Sequence, residues 1–300
     1  MNLIPTDQLL AAELQNISTR ISKSNQGFSS GYTGLDHDLM GGFQIGNLYC
    51  IGSVSSMGKT MVALNILVNQ LTNLATNEVL VFVSTHTSYH VLIQKILAIA
   101  TGIELRKIQA GDLTIEELSI LESHPFLTLL KKNQLVLIEN NTPTLDAISE
   151  TLNTLINENK QPKMLFIDCL QDMQVTDKNT NLEQAIYSLL KSIKVVAAKV
   201  QVPVLITSKV SKRVFYRKES QIPQLHDLLH SRLIADVCDW VYMVLRPSYY
   251  QNPCEEDFEL LDQELRLYGR KNKHLPLNVL MFRTDIRKYH MVNESVYSII

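Results

Sequence analysis

Four cysteines among 300 residues, Cys50, Cys169, Cys238 and Cys254, are scattered without any Cys-x-x-Cys spacing. Such spacing gives no basis for a disulfide framework or a zinc site, and a reducing cytoplasm is the compartment it fits. Long apolar runs are missing too, since none approaches the ~20 residues that a membrane-spanning helix needs. The opening residues, MNLIPTDQLL, carry neither the basic stretch nor the apolar core of a secretory signal. Positive charge is not in excess: 28 Lys and Arg against 30 Asp and Glu leave a net charge of −2. No global basic field announces nucleic acid, so any such contact must come from local loops. Internal repeats and low-complexity tracts are absent. A glycine is also missing, from the most informative place in the chain.

That place is LYCIGSVSSMGKTMVALNILV, residues 48–68. A phosphate-binding loop reads Gly, four residues, Gly-Lys, then Ser or Thr. Gly58, Lys59 and Thr60 satisfy the end of the pattern, but Ser53 stands where the leading glycine belongs, with Gly52 just before it. The amides of Ser55, Ser56, Met57, Gly58, Lys59 and Thr60 can curl round a β-phosphate, because small side chains leave the concavity open. Lys59 brings a point charge to the β and γ oxygens, and the Thr60 hydroxyl is placed to ligate Mg²⁺. A chance Gly-Lys-Thr would lack the flanks seen here, β-rich LYCIG before and the helical pattern MVALNILVNQL after. Further on, MLFIDCLQDM offers Asp168 after four apolar residues. A lone Asp in such a place is commonly a turn or helix cap. With a P-loop upstream it reads instead as the second Mg²⁺ ligand. The implied cofactors are ATP and Mg²⁺.

A hydrophobic share of 45% and a charged share of 19% are ordinary for a globular chain of one large α/β domain or two small ones. Eight β-rich runs punctuate it: 48–52, 79–84, 135–139, 164–168, 203–208, 240–245, 265–269 and 277–282. Several are apolar on consecutive positions, as strands covered on both faces should be. Helical stretches separate the first five, which implies parallel crossovers, while the last two lie close enough to be antiparallel. Residues 6–21 pattern as an amphipathic helix, capped by Thr6, with Leu10, Leu14, Ile17 and Ile21 on one stripe. Polar Ser22–Ser30 reads as a linker. The stripe must be buried either on its own domain or on a neighbouring subunit.

Taken in order, GYTGLDHDLMGGFQIGNLYCIGSVSSMGKT, MLFIDCLQDM, PVLITSKVSKR and HDLLHSRLIADVCDWVYMVLR resemble the RecA-like motor domain of DnaB-type replicative helicases. The Ser-Met-Gly-Lys-Thr loop is characteristic of that family, which tolerates a non-glycine at the Ser53 position. The similarity runs from about Gly31 to Phe282. It implies a RecA-like P-loop NTPase fold, a mostly parallel twisted sheet with helices on both faces, spanning 31–300. Residues 1–30 then resemble the family's linker helix, which favours docking on the adjacent subunit of a ring-shaped homo-oligomer, a hexamer in the family. The family's primase-interacting domain has no counterpart in these 300 residues. A helicase loader or another replisome protein is an implied partner, and a membrane is not.

Departures from the family pattern fall at chemical positions. The family places a glutamate past the second strand to orient water; VLVFVSTHTSYH has His86 there, read first as a tolerated polar residue and second as an acceptor for water, and no carboxylate from Val79 to His90. His86 and His90 could share a helix face, but no third metal ligand lies near. Where the family carries a γ-phosphate-sensing Gln, this chain has Lys209. Where it carries a Lys-x-Arg finger, one register offers Lys271 and a one-residue slip offers Arg270. The family's DNA-contacting loop resembles DLLHSRLIAD, which keeps Arg232 but has Leu229 and His230 in place of an Arg-Glu pair. Ser208–Ser220 interleaves Lys209, Lys212, Arg213, Arg217 and Lys218 with Phe215 and Tyr216, a mixture suited to single-stranded DNA. Residues 176–184 form a second, less basic candidate loop, and Arg246, Tyr249 and Tyr250 are candidates to hold a nucleobase. Two functions remain open: an ATP-dependent helicase or translocase core with weakened hydrolysis, or a non-hydrolysing ATP-binding paralogue with an assembly or regulatory role. A RecA-like recombination or regulatory ATPase is the weaker third, because the helicase segments follow in helicase order.

Overall fold

A computed structural model describes residues 27–175, 181–218, 220–229, 233–250 and 263–298, together with 6, 7, 9–11, 14 and 15. The readings made for Ile17, Ile21, residues 176–180, His230, Arg232 and Cys254, and for the side chains of Tyr249 and Tyr250, lie outside the described residues.

Among the described residues nine strands form one sheet: β1 Leu48–Ser53, β2 Glu78–Ser84, β3 Leu135–Glu139, β4 Gln161–Asp168, β5 Val204–Lys209, β6 Trp240–Leu245, β7 Glu264–Asn272, β8 Asn278–Asp285 and β9 His290–Ser298. Their spatial order is β3-β2-β4-β5-β1-β6-β7-β8-β9. From β3 to β6 every pairing is parallel, and β7, β8 and β9 continue the sheet antiparallel. Each of the eight apolar runs becomes a strand. Continuous burial of β1 and β6 explains why their sequences do not alternate.

The core has two layers because side chains alternate across the sheet. Leu48 and Cys50 of β1 face a layer built with helices Leu145–Asn157 and Leu182–Val200. Tyr49 and Ile51 face the opposite layer, with helices Lys59–Leu71 and Tyr89–Thr101. This is the doubly covered, mostly parallel α/β sheet implied by the resemblance.

Two elements differ from the sequence reading. β9 was not anticipated, because HMVNESVYS holds no apolar run and sits at the sheet edge. It is fastened to the helix Lys59–Leu71 through buried Asn65, whose Nδ2 donates to Tyr289 O (2.9 Å) and whose Oδ1 accepts from Met291 N (2.9 Å). Furthermore, the end of the stretch read as a linker is folded: Phe28 pairs with Phe43, Ser30 is fully buried, and Ser29 and Ser30 both bond the Asp36 carboxylate. Their polar side chains mark a helix-start turn, which composition does not separate from a linker.

Candidate active site

The candidate residues gather at the carboxyl edge of the parallel strands. Ser53 ends β1 opposite Lys209 at the end of β5, and Ser84 ends β2 opposite Asp168 at the end of β4. Open α/β sheets place their ligands at this edge.

Geometry explains the missing glycine. Ser53 is the last residue of β1, so extended backbone suits it and no left-handed turn is required there. Its hydroxyl is buried and donates to Val54 O at 2.8 Å. Glycine is needed one place earlier, since a Cβ on Gly52 would stand 2.7 Å from Met243 Sδ and 2.8 Å from Leu228 Cδ2. Gly58 is needed as well, with φ +101° and a would-be Cβ 3.0 Å from Leu265. Gly58 caps the helix Lys59–Leu71 without a side-chain bond, so the first amides and positive dipole end adjoin the loop.

Lys59 folds over this loop. Its Nζ lies 3.0 Å from Ser53 O and 3.3 Å from both Ser53 Oγ and Val54 O. Burial lowers its pKa below the usual lysine range, against the opposing pull of Cys169 and Asp168. Next to it the Thr60 hydroxyl donates to Asp168 Oδ2 at 2.8 Å, and Thr207 donates to Asp168 Oδ1 at 2.5 Å. Two hard oxygen donors beside a half-buried ammonium and a helix N-terminus suit a magnesium–triphosphate pair. The residues present fit the implied cofactor.

A second polar cluster lies along the same edge. His86 Nε2 is 2.7 Å from Asp172 Oδ2, and Lys209 Nζ bonds both oxygens of Asp172, at 2.8 and 2.9 Å. Lys209 Nζ is also 3.0 Å from His86 Nε2. Burial pushes the Asp172 pKa up, but bonds from Lys209 and Cys169 outweigh it and hold the carboxyl below its usual range. The Cys169 thiol is pushed up to about 12, first by burial and then by Asp172. Thr85 lies between the two clusters, its single hydroxyl hydrogen within reach of Asp168 O (3.0 Å) and Asp172 Oδ2 (3.3 Å).

Lys209 lies at the carboxyl end of β5 with its ammonium paired to Asp172. Beyond it, 3₁₀ turn Lys212–Tyr216 is anchored by buried Val214 and leaves Lys212, Arg213 and Lys218 exposed. The Tyr216 ring is 85% exposed beside them. Arg217 instead ion-pairs with buried Asp227, which also accepts from Gln224 N at 2.7 Å. Segments 208–218 and 221–229 are thus stitched together, with Ser211 N donating to Asp227 O and Leu229 N to Lys209 O, both at 2.8 Å. Gln171 reaches both, donating to Ser208 Oγ (2.7 Å) and Leu229 O (3.2 Å) and accepting from Lys209 N (2.9 Å).

Arg270 and Lys271 are not part of this pocket within the chain. β7 bulges against β6, pairing Lys271 with Val241 and Gly269 with Tyr242 and leaving Arg270 as the extra residue. Arg270 Nε donates to Pro223 O at 3.0 Å, and its guanidinium stands 5.2 Å over the Tyr268 ring. Lys271 Nζ caps the carbonyls of Ala235 and Asp236. Arg246 follows β6, the neighbour of β1 on the side away from β5. Among the described residues no group of three His, Cys, Asp or Glu side chains that could hold a metal ion occurs.

A family model for the DnaB-like helicase C-terminal domain matches residues 27–291. The chain belongs to that family. Among DnaB-like relatives, it is 30% identical over 264 residues to a probable replicative DNA helicase of Trieres chinensis, covering 88% of this chain and 57% of that one. It is 27% identical over 225 residues to a probable plasmid replicative DNA helicase of Chlamydia psittaci, covering 75% and 47%. With the replicative helicase DnaB of Geobacillus stearothermophilus it shares 28% identity over 233 residues, 76% of this chain and 49% of that one. The chain thus spans about half the length of these relatives. Its fold superposes on a solved ATPase domain with TM-score 0.85 and 21% identity, covering 97% and 99% of the two chains. A solved DnaB-like replicative helicase, described with its interactions with primase, matches with TM-score 0.82 and 21% identity over 97% of this chain and 67% of that one. The fold is RecA-like.

Within this DnaB-like domain, sequence reading passed over Asp172, Gln171 and Thr85. A signal for Asp172 did exist: MLFIDCLQDM holds a second carboxylate four residues after Asp168. Nothing in sequence, however, joins it to His86 or Lys209, which arrive on other strands.

Proposed function

We propose that this chain is an ATP-dependent, DnaB-like helicase or translocase core that works on single-stranded DNA as a cytoplasmic ring. The observation that carries the reading is the Thr60–Asp168 contact, because it joins loop and carboxylate across 108 residues of sequence into one pocket. Lys59 would hold the β and γ oxygens, and Thr60 with Asp168 would hold Mg²⁺, which when bound neutralises charge on the transferred phosphoryl. To reach phosphate, Lys59 exchanges the carbonyls of Ser53 and Val54 for anionic oxygens, a stronger partner for a half-desolvated ammonium. Gln171 would link the pocket edge to the DNA-facing loop, where Lys212, Arg213 and Lys218 meet phosphates and Tyr216 meets a base. Arg270 and Lys271 would act, if delivered to a neighbouring subunit, only after leaving their present partners.

The competing reading, a paralogue that binds ATP without hydrolysing it, is favoured by one observation: no carboxylate stands between Val79 and His90. Loss of a positioned general base costs typically ~10²–10⁴-fold in rate. Steady-state ATP turnover with and without single-stranded DNA separates the two. DNA-stimulated turnover, abolished in Asp168→Asn, is expected; tight nucleotide binding with no turnover under any DNA condition would establish the paralogue instead.

A further inference from the structure

We infer that His86 is the general base for water in this pocket and that Asp172 is the residue that positions it. The inference deepens the ATPase reading and rests on it. Three side chains from three separate connections meet here: His86 after β2, Asp172 in the turn Leu170–Asp172 after β4, and Lys209 at the end of β5. A carboxylate can only accept, and both Asp172 oxygens already take protons from Lys209. With the Lys209 hydrogens turned to Asp172, the tautomer proposed here carries hydrogen on His86 Nε2 and donates it to Oδ2 at 2.7 Å. A neutral imidazole with hydrogen on Nε2 has its lone pair on Nδ1. The His86 side chain is 61% exposed, so water reaches it. The ammonium of Lys209 lies 3.0 Å from Nε2.

Placement supports the role. Lys209 pairs in register with Ser53, the residue whose carbonyl holds Lys59. Thr85 lies between Asp168 and Asp172. The cluster thus borders the pocket where a γ-phosphate would lie. In the step proposed, water gives a proton to His86 Nδ1 as its oxygen bonds the γ-phosphorus. The bridging P–O bond breaks with its electron pair passing to the β-phosphate of ADP. The imidazolium, stabilised by Asp172, returns the proton to phosphate or solvent. An Asp that fixes tautomer and charge of a His is a general catalytic device.

The test is a kinetic cycle on the full chain, with ATP binding measured in parallel. His86→Ala and Asp172→Asn should each lower kcat, the former by roughly 10²-fold, with KM for ATP changed little. The double variant should be no slower than His86→Ala alone, because Asp172 acts through the ring. Replacing the ring by a carboxylate, His86→Glu, should restore turnover and make Asp172→Asn nearly silent. Wild-type kcat in His86→Ala, or an undiminished cost of Asp172→Asn beside His86→Glu, would overturn the inference and leave the ATPase reading standing. A wild-type chain that binds ATP without turnover would overturn it while leaving the pocket intact; a chain that does not bind ATP would overturn both.

Discussion

Asp239 is a heavily used acidic side chain away from the pocket. It is 4% exposed, accepts from Leu48 N at 2.9 Å, and pairs with Lys194 (2.7 Å) and Lys273. The contact with Leu48 fixes the start of β1, and therefore the strand that delivers the loop. Burial pushes its pKa up, yet the bonds from Lys194 and Lys273 outweigh it and leave the carboxyl below the usual range. A depressed carboxyl contributes stability that is complete above its unfolded value near ~3.9 and is lost as pH falls through its folded value. Asp239→Asn should therefore cost about 2 kcal/mol near neutral pH, where both lysines are partly solvated and the loss is discounted accordingly. The same variant should flatten the acid limb of stability against pH, as measured by urea unfolding at several pH values. An unchanged acid limb would remove Asp239 as a contributor.

At the scale of elements, the decisive unit is the pair of segments after β5, joined by Arg217 and Asp227. Charge counting treats Lys212, Arg213, Arg217 and Lys218 alike, but their environments do not. The three exposed cations are free to meet phosphate, and each alanine replacement should reduce the salt slope of single-stranded DNA binding by about 0.7. Arg217→Ala should leave that slope unchanged and weaken binding by loosening the turn, since its charge is already spent on buried Asp227. Fluorescence anisotropy across salt concentrations distinguishes the two behaviours. A drop in slope of about 0.7 for Arg217→Ala would show that the pair opens to DNA.

For the whole molecule the question is what covers the N-terminal segment. Its described residues are helical, with Leu9, Leu10 and Leu14 50%, 60% and 57% exposed in the single chain. Docking on a neighbouring subunit would bury that stripe, as the ring proposal requires. Leu10→Asp with Leu14→Asp should then disperse the oligomer in sedimentation experiments while ATP affinity stays within about twofold of wild type, RT ln 2 being a negligible change. Assembly that survives the double replacement would exclude this helix as the joint.

Local chemistry alone determined a good deal of this protein. Strand runs, the Gly58–Thr60 turn and Asp168 were legible because continuous apolar burial, left-handed backbone and motif spacing are written in neighbouring residues. The polar edge strand β9 was not, because HMVNESVYS carries no apolar run and the side chains that anchor Met291, those of Tyr32 and Asn65, lie 259 and 226 residues before it. Nor was the division of labour among the basic residues: Lys209 and Arg217 have the same charge as Lys212, and only the folded chain pairs them with Asp172 and Asp227. Tertiary structure alone brought His86 to Asp172, since a hydrogen bond between loops on two strands depends on sheet order. Sequence spacing carries no record of that order.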